Sequence, residues 1–575
     1  MFMNKRWIIR PEEKPSESNQ SFSPLVQKLL AARGITSAED VEEFSNPTFK
    51  ESLHDPFLFK DMKKACKHIL KAVKKQQSIV IHGDYDADGV CSSVLLYETL
   101  EKLGAENVEI YLPHRDKEGY GLNMNTVNKF IEQEKELVIT VDCGSTNTEE
   151  IAALKEAGIP TIVLDHHHER DDHPPYLAAL NPHFKKESYP FKELAGVGVV
   201  YKVVHALHIL EPEKVDEAFV KWSLDLVAIA TVSDCVDLVG ENRAIVNFGL
   251  RVLQKNRRPG LKAILAAAQV DANEINTYHI GFVIGPRLNA AGRMKHANSA
   301  VELLLEKDPV VLQQLAMELN TTNQQRQSVT SDMFAKALEQ LPKQDPMPYV
   351  LVSHQPFEEE MGSWPVGLVG LVAGKVTQKF FRPTFVIGTS PKGYLGSGRS
   401  IPAFNIIEAI EKTSADLFEN YGGHAQACGF TFKDKKDIAE FEKRLNTYAK
   451  EILKEEDLVP ELEIDTELSF DTITYDLINE LKILEPHGMA NKKPVFCSYN
   501  TEIVSLRAIG SDQQHLKLTL KHNNHTHEVI GFRFGDWVDR VKIGTRIDVA
   551  YEVDINNWNG NKTIQLRLID IRETS

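Results

Sequence analysis

A chain of 575 residues is too long for one hydrophobic core, and at roughly 100 to 200 residues per domain it should divide into three or four. Hydrophobic residues at 42% and charged residues at 26% are the balance of an ordinary globular protein, and no apolar run approaches the roughly 20 residues that span a bilayer, which points to a cytoplasmic protein without a membrane partner. A formal net charge of -16 argues against coating nucleic acid by bulk electrostatics, but a local cationic groove with bound metal would still admit a nucleic-acid enzyme.

The N-terminal MFMNKRWIIRPEEKPSESNQ lacks the apolar core of a signal peptide. Residues 1–77 read as a helical preface: SPLVQKLLAARG and FKDMKKACKHILKAVKK carry apolar residues at helical spacing around the loop NPTFKESLHDP, and are expected to cover the first strand. That strand is Ser78 to Ile81 in SIVIHGDYDADGVCSS, with a helix from Gly89 to Leu103. Between them His82, Asp84, Asp86 and Asp88 crowd one turn. Carboxylates this close raise one another's pKa, and a divalent cation is the usual way to neutralise them. A calcium loop is disfavoured, because Leu95 stands where its twelfth-position Glu is needed.

VEIYLP (108–113) predicts a second strand, running into a Gly-rich turn where Arg115 and Tyr120 could hold a phosphate and a base. ELVITVDCGS (136–145) predicts a third, ending on Asp142, and PTIVLDHHHE (160–169) a fourth, ending on Asp165, His166, His167 and His168. Carboxylates and imidazoles at the ends of three strands along one sheet edge suit Mn²⁺, Mg²⁺ or similar ions. LDLVAIATVSDCVDLVGENR offers one more carboxylate, with Asp234 favoured over Asp225 and Asp237 because LVAIATV ends just before it. The cysteines (Cys66, Cys91, Cys143, Cys235, Cys428, Cys497) show no CxxC spacing and indicate neither a disulfide frame nor a zinc ribbon.

A long helix is expected through AVELLLEKDPVVLQQLAMELNTTNQQRQSVTSDMFAKALEQL as a connector between two lobes. MPYVLVSH, PTFVIG and GYLGSGRS then predict strands of a second α/β domain, with VGLVGLVAGKVTQKF as a helix between them. After the acidic KEILKEEDLVPELEID, five β-rich runs from Pro494 to Arg572 fit an OB-type barrel, whose aromatics suit stacking on bases.

The motifs HxxxDxDG at His82 to Gly89, VDCG at Asp142, DHH at Asp165 to His167 and VSD at Asp234 resemble the DHH phosphoesterase superfamily. GFVIGPRLNAAGRM (281–294), GSGRS (396–400) and GGHAQACGF (422–430) narrow the resemblance to its RecJ family of single-strand-specific exonucleases, over roughly residues 50 to 575. The fold class it implies is α/β: a preface (1–77), a DHH parallel-sheet catalytic domain (78–300), a long connecting helix (301–345), a DHH-associated α/β domain (346–455) and a C-terminal OB-type β-barrel (456–575).

The resemblance also implies two divalent ions, Mn²⁺ or Mg²⁺, one held by His82, Asp86 and Asp142 and the other by Asp88, Asp142, His166 and Asp234, with Asp142 bridging. Such a pair acidifies a water and stabilises both oxygens of an in-line displacement at phosphorus. His167 is then left to donate to a phosphoryl oxygen, while Asp84 and Asp165 orient ligands. Arg115, Ser397 and Arg399 are expected to hold a terminal 5′-phosphate, Asn289 and Arg293 to face the cleft, and His424 to contact the scissile phosphate. The implied activity is hydrolysis of single-stranded DNA from 5′ to 3′ into mononucleotides, in repair and recombination, by a monomer with a single-strand-binding protein and a RecQ-type helicase as partners. The alternatives are a small-nucleotide phosphodiesterase of the superfamily and an inactive DNA-binding scaffold. Three departures stand out: His487 and Met489 to Lys492 replace a Phe-Gly-x-Gly-Asn-Pro turn, Trp364-Pro365 replaces Trp-His, and Gly398 replaces an Ala, a change expected to matter little.

Overall fold

Five strands, Ile79–Gly83 (β1), Val108–Tyr111 (β2), Leu137–Val141 (β3), Thr161–Leu164 (β4) and Ala178–Leu180 (β5), pair in parallel in the order β2-β1-β3-β4-β5. In this computed structural model β1, β3, β4 and β5 are buried at every position, as strands with helices on both faces must be, and their β-branched runs follow from that. Residues 5–11, 22–115, 117–168, 173–342, 346–355, 364–390, 393–558 and 561–574 are described; much of the stretch read for a signal peptide, and Glu169, lie outside them.

The sheet belongs to a unit spanning residues 49–454. Its helix Met62–Lys74 (α1) turns Ala65, Cys66 and Ile69 into the same core as Ile79 and Ile81. Ala87–Leu103 (α2) crosses from β1 to β2, and Gly196–Leu210 (α3) and Leu224–Ser233 (α4) pack against it. Beyond the sheet come Gly285–Met294 (α5), a separate helix Asn298–Leu305, and the 32-residue Pro309–Gln340 (α6). The connecting helix expected over 301–345 is therefore broken near its start. Asp308 accepts hydrogen bonds from the Val310 and Val311 amides, and Pro309 begins a new helix, the usual chemistry of an N-terminus.

The same unit carries a mixed sheet of Leu351–His354 (β6), Thr384–Ser390 (β7), Gly393–Arg399 (β8), Phe418–His424 (β9) and Ala427–Phe432 (β10), in the order β9-β10-β8-β7-β6. Only β6 and β7 run parallel, and Val366–Phe380 (α7) covers β7 and β8. Gly398 is closely surrounded: a Cβ there would lie 2.5 Å from Ile406 Cδ1 and 2.7 Å from Cys428 Sγ. An alanine would need these side chains to shift.

The second unit joins Met1–Thr48 to Glu455–Ser575. Strand Arg6–Ile9 pairs in parallel with Glu461–Ile464, and Val26, Leu29, Leu30 and Val41 share a core with Phe470, Phe496 and Tyr551. The expected preface over 1–77 thus divides, and only its part from Phe49 onward lies with the first strand. Phe496–Ile509 (β11), His515–His522 (β12), His525–Gly531 (β13), Arg546–Trp558 (β14) and Asn561–Glu573 (β15) form the barrel. It closes through β11-β12-β13-β15-β14 and back to β11, with β13 and β15 parallel, the OB arrangement. The divergent turn is pinned by Asn491, whose amide donates to the Leu484 and Pro486 carbonyls and accepts from Arg33. Among the described residues no helix is long and apolar enough to cross a membrane.

Candidate metal centre

In a sheet of order β2-β1-β3, chain connections leave β1 and β3 in opposite directions, opening a crevice at their carboxyl ends where ligands bind. His82 and Thr140 are register partners there, as are Gly83 and Val141, so the loops carrying Asp84 to Asp88 and Asp142 emerge side by side. Asp86 caps α2, accepting from the Asp88 amide at 2.9 Å and the Gly89 amide at 3.2 Å. Asp88 is buried with its carboxylate at the N-terminus of α3, accepting from the Gly196 and Val197 amides at 2.7 and 2.8 Å, where the helix dipole favours negative charge. Asp142 follows β3 in the left-handed region at φ 58°, a conformation uncommon for a residue with a side chain and frequent at functional turns.

These loops converge on His166. Its Nε2 lies 3.2 Å from Asp142, 3.6 Å from Asp234 and 3.8 Å from Asp88. Asp234 caps the C-terminus of α4. The rival Asp225 is committed elsewhere, paired at 2.9 Å with Arg258. Burial, reinforced by neighbouring carboxylates, pushes Asp142 and Asp84 well above the ordinary carboxylate range, Asp88 up to about 7 and Asp234 up to about 9. Burial also lowers His166 and His82 to about 4. So much uncompensated negative charge in one crevice is what a bound cation relieves.

Donor atoms gather in three groups, each within 4.8 Å: Asp142, His166 and His167; Asp88, His166 and Asp234; Asp84, Asp86 and Asp142. Buried His82 Nε2, Asp84 Oδ1 and His166 Nε2 make no hydrogen bond. Buried polar atoms without partners are rare, and hard carboxylates with imidazole match Mn²⁺ or Mg²⁺, so these residues fit divalent ions. One detail departs from expectation. The carboxylate grouped with Asp86 and Asp142 is Asp84, assigned above to an orienting role, whereas His82 lies outside the three groups, its Nδ1 3.6 Å from Cys143 Sγ and its ring stacked on Tyr111. The irregular backbone between β1 and α2 turns Asp84 inward, which alternation along a strand does not foretell.

Asp165 Oδ1 lies 2.8 Å from His167 Nδ1 and also accepts from the His166 and His167 amides. Although burial opposes charge at both, their mutual pairing holds Asp165 well below the carboxylate range and raises His167 to about 9. Tyr120 O–H donates to the Asp142 carbonyl at 3.1 Å and sits 3.0 Å from His167 Nδ1. A buried amide passed over in the sequence completes this support: Asn181 donates to the His167 carbonyl and to Ser145 Oγ, both at 2.8 Å. Its only signal was the Asn-Pro turn after β5.

The residues expected to bind substrate divide. Asn289 Oδ1 accepts from the Ala87 amide at 2.7 Å, and a Cβ on Gly292 would lie 2.3 Å from the Tyr85 carbonyl oxygen. Asn289 therefore clamps the Asp86 loop. Ser397 is also engaged, its hydroxyl donating to the Cys428 carbonyl at 2.9 Å and accepting from Arg399 at 2.8 Å; it steadies Arg399. Arg115 lies 5.0 Å over the Tyr85 ring, and Arg293 donates to the Gly367 carbonyl at 3.2 Å. Burial, with Arg115 nearby, lowers Arg399 and brings Arg293 down to about 10. Arg115 thus repels both Arg293 and Arg399, and none of the three pairs with a carboxylate among the described residues. His424 ends β9, exposed, its ring 6.3 Å from that of His168.

A parallel sheet with carboxylates and imidazoles at its switch point, followed by a second lobe that brings arginine toward them, defines a phosphoesterase of the DHH class. Three family models match: DHH family, N-terminal domain, over residues 78–231; DHHA1 domain over 347–451; and RecJ OB domain over 464–570. The chain belongs to the RecJ family. It is 37% identical to the single-stranded-DNA-specific exonuclease RecJ of Bacillus subtilis, over 98% of this chain and 70% of that one, and 31% identical to the Haemophilus influenzae protein of the same description, over 98% and 99%. The crystal structure of RecJ in complex with Mn²⁺ from Thermus thermophilus superposes with a TM-score of 0.84 at 27% identity, covering 99% of this chain and 80% of that one; the Mg²⁺ complex gives 0.77 at 25%, covering 99% and 79%.

Proposed function

We propose that this chain is a metal-dependent exonuclease that hydrolyses single-stranded DNA from the 5′ end into mononucleotides, in DNA repair and recombination. The observation that carries the reading is the convergence of Asp88, Asp142 and Asp234 on His166 within 3.8 Å. The description of its relatives as single-stranded-DNA-specific exonucleases supports the substrate. Asp86, Asp88, Asp142, His166 and Asp234 would hold Mn²⁺ or Mg²⁺, with Asp84 and His82 beside them; Asp142 and His166 each belong to two donor groups, and of the two Asp142, with two carboxylate oxygens, is the residue a pair of ions would share. Such ions supply Lewis acidity at a phosphoryl oxygen and a more acidic water at neutral pH.

The chain's own groups do the rest. Asp165 fixes the imidazole of His167 through Nδ1, so that Nε2, when protonated, donates to a phosphoryl oxygen as charge develops there. Arg399, steadied by Ser397, and Arg115 offer forked donors to a terminal 5′-phosphate, with Arg293 along the cleft and His424 near the scissile group. A phosphate held there stops the strand from threading onward, which makes the cut exonucleolytic. The enzyme acts as a cytoplasmic monomer on strands that a helicase and a single-strand-binding protein deliver.

A long 5′-phosphorylated strand labelled at either end tests this with Mn²⁺ and with chelator. Mononucleotide carrying the 5′ label should appear first, and chelator should stop the reaction. Early release of the 3′ label would reverse the polarity, and strong preference for a dinucleotide would favour the small-nucleotide phosphodiesterase instead.

A further inference from the structure

Tyr278 and Phe282 are the most exposed aromatic side chains among the described residues, at 59% and 68% of their surface. They stand one turn apart, in the helical turn Thr277–His279 and the π-turn Ile280–Ile284 that leads into α5. Their rings stack on each other, with centroids 4.9 Å apart and planes tilted by 26°. The segment buries Ile280 and Ile284 completely, so its apolar anchoring is already supplied. The two rings are surplus to the core.

Their neighbourhood is informative. Gly285 lies against the residue preceding Asp234, since a Cβ on it would be 2.4 Å from Ser233 Oγ, and one on Gly281 would be 3.9 Å from Val232. The ring pair therefore rises from an element that packs on the Asp234 side of the metal centre. One turn further, Arg287 is held by the Val283 carbonyl and by Asn320 at 2.9 Å. Arg326, on α6, lies within electrostatic reach of Arg287, and its buried Nε makes no hydrogen bond. Neither guanidinium pairs with a carboxylate among the described residues. Exposed π-faces and guanidiniums without a carboxylate partner are the two features that single-strand binding uses, one for bases and one for phosphates.

We propose that Tyr278 and Phe282 form a platform on which a base of the entering single strand stacks, with Arg287 and Arg326 receiving an adjoining phosphate. The inference rests on the exonuclease reading above and assigns part of its strand selectivity to this pair. A base inside a duplex has both faces covered by its neighbours and offers the platform nothing. A single strand can turn one base out at small cost.

The test compares Phe282→Ala, Tyr278→Ala and the conservative Phe282→Tyr, each on a long single strand and on a dinucleotide. On the strand, KM should rise about 5- to 100-fold in the alanine variants, the range for a lost stacking contact, with kcat and dinucleotide hydrolysis within about twofold of wild type. Phe282→Tyr should restore KM. In an Asp142→Ala background, 2-aminopurine stepped along the strand should be quenched at one position, and Phe282→Ala should abolish that quenching. Unchanged KM and quenching would overturn the proposal, as would an equal loss on the dinucleotide, which would mark a structural role. A change in self-association by light scattering with DNA binding intact would assign the rings to a second copy of the chain. If wild type cleaves only the dinucleotide, the exonuclease reading falls and the platform with it.

Discussion

The amide oxygen of Asn289 accepts the Ala87 N–H at 2.7 Å, tying α5 to the first turn of the helix that follows Asp86. The segment that carries Arg293 therefore also holds the Asp86 loop in shape. Asn289→Ala should weaken Mn²⁺ affinity by about 10- to 100-fold, as loss of an outer support usually does. Calorimetric titration would show it; an unchanged affinity with a raised KM for DNA would restrict Asn289 to substrate.

Asp142→Ala should lower hydrolysis by roughly a thousandfold or more, because it belongs to two of the three donor groups and such sites supply several kcal/mol to the transition state. DNA binding, measured by anisotropy, should persist. Retained turnover would remove the shared-ligand role.

The buried carboxylates make stability depend on pH in a defined direction. Asp88 and Asp234 have folded values near 7 and 9, above their unfolded values. Their contribution is thus fully present below about pH 4 and is lost progressively as the pH climbs through those values. His166 and His82, lowered to about 4, pull the other way only up to their unfolded value near 6.5, so in chelator the Tm should fall between about pH 7 and 9, and added Mn²⁺ should recover more of it at the upper end. Calorimetry with and without metal checks this, and a Tm rising with pH over that range in chelator would contradict it.

Arg399 offers its fork with Ser397 already bound to it. Arg399→Ala should reduce the preference for a 5′-phosphate over a 5′-hydroxyl by about 10- to 100-fold, the worth of charge-assisted hydrogen bonds. Competition between the two substrates reads it directly, and an unaltered preference would take Arg399 out of the pocket.

Gly398→Ala should cost about 1–3 kcal/mol through overpacking against Ile406 and Cys428, and should disturb Arg399 next to it. Thermal unfolding with the 5′-phosphate assay would separate the two effects. A neutral substitution would mean that Ile406 repacks freely.

The ends of β1, β3 and β4 were legible because each pairs a β-branched run with polar residues in the turn after it, a strictly local signal. The barrel strands were legible for the same reason. Four features were not. The placement of Val26, Leu29 and Leu30 was hidden because helical spacing reveals an apolar face but not the surface that covers it. The grouping of Asp84 with Asp86 and Asp142 was hidden because the loop backbone, not strand alternation, sets which side chain turns inward. The break at Asp308-Pro309 was written in the sequence, but apolar spacing on both sides made one helix look continuous. Ser397 looked like a free donor, and only the register of β8 with β10 shows its hydroxyl spent on Cys428.

Strand Arg6–Ile9 finds its partner at Glu461–Ile464, so a segment made early pairs with one made much later. Residues 49–454 are synthesised in between, a wait on the order of tens of seconds at about 5–20 residues per second. Throughout that interval Val26, Leu29 and Leu30 are without their native cover, and a chaperone that shields apolar segments would have its first customer there.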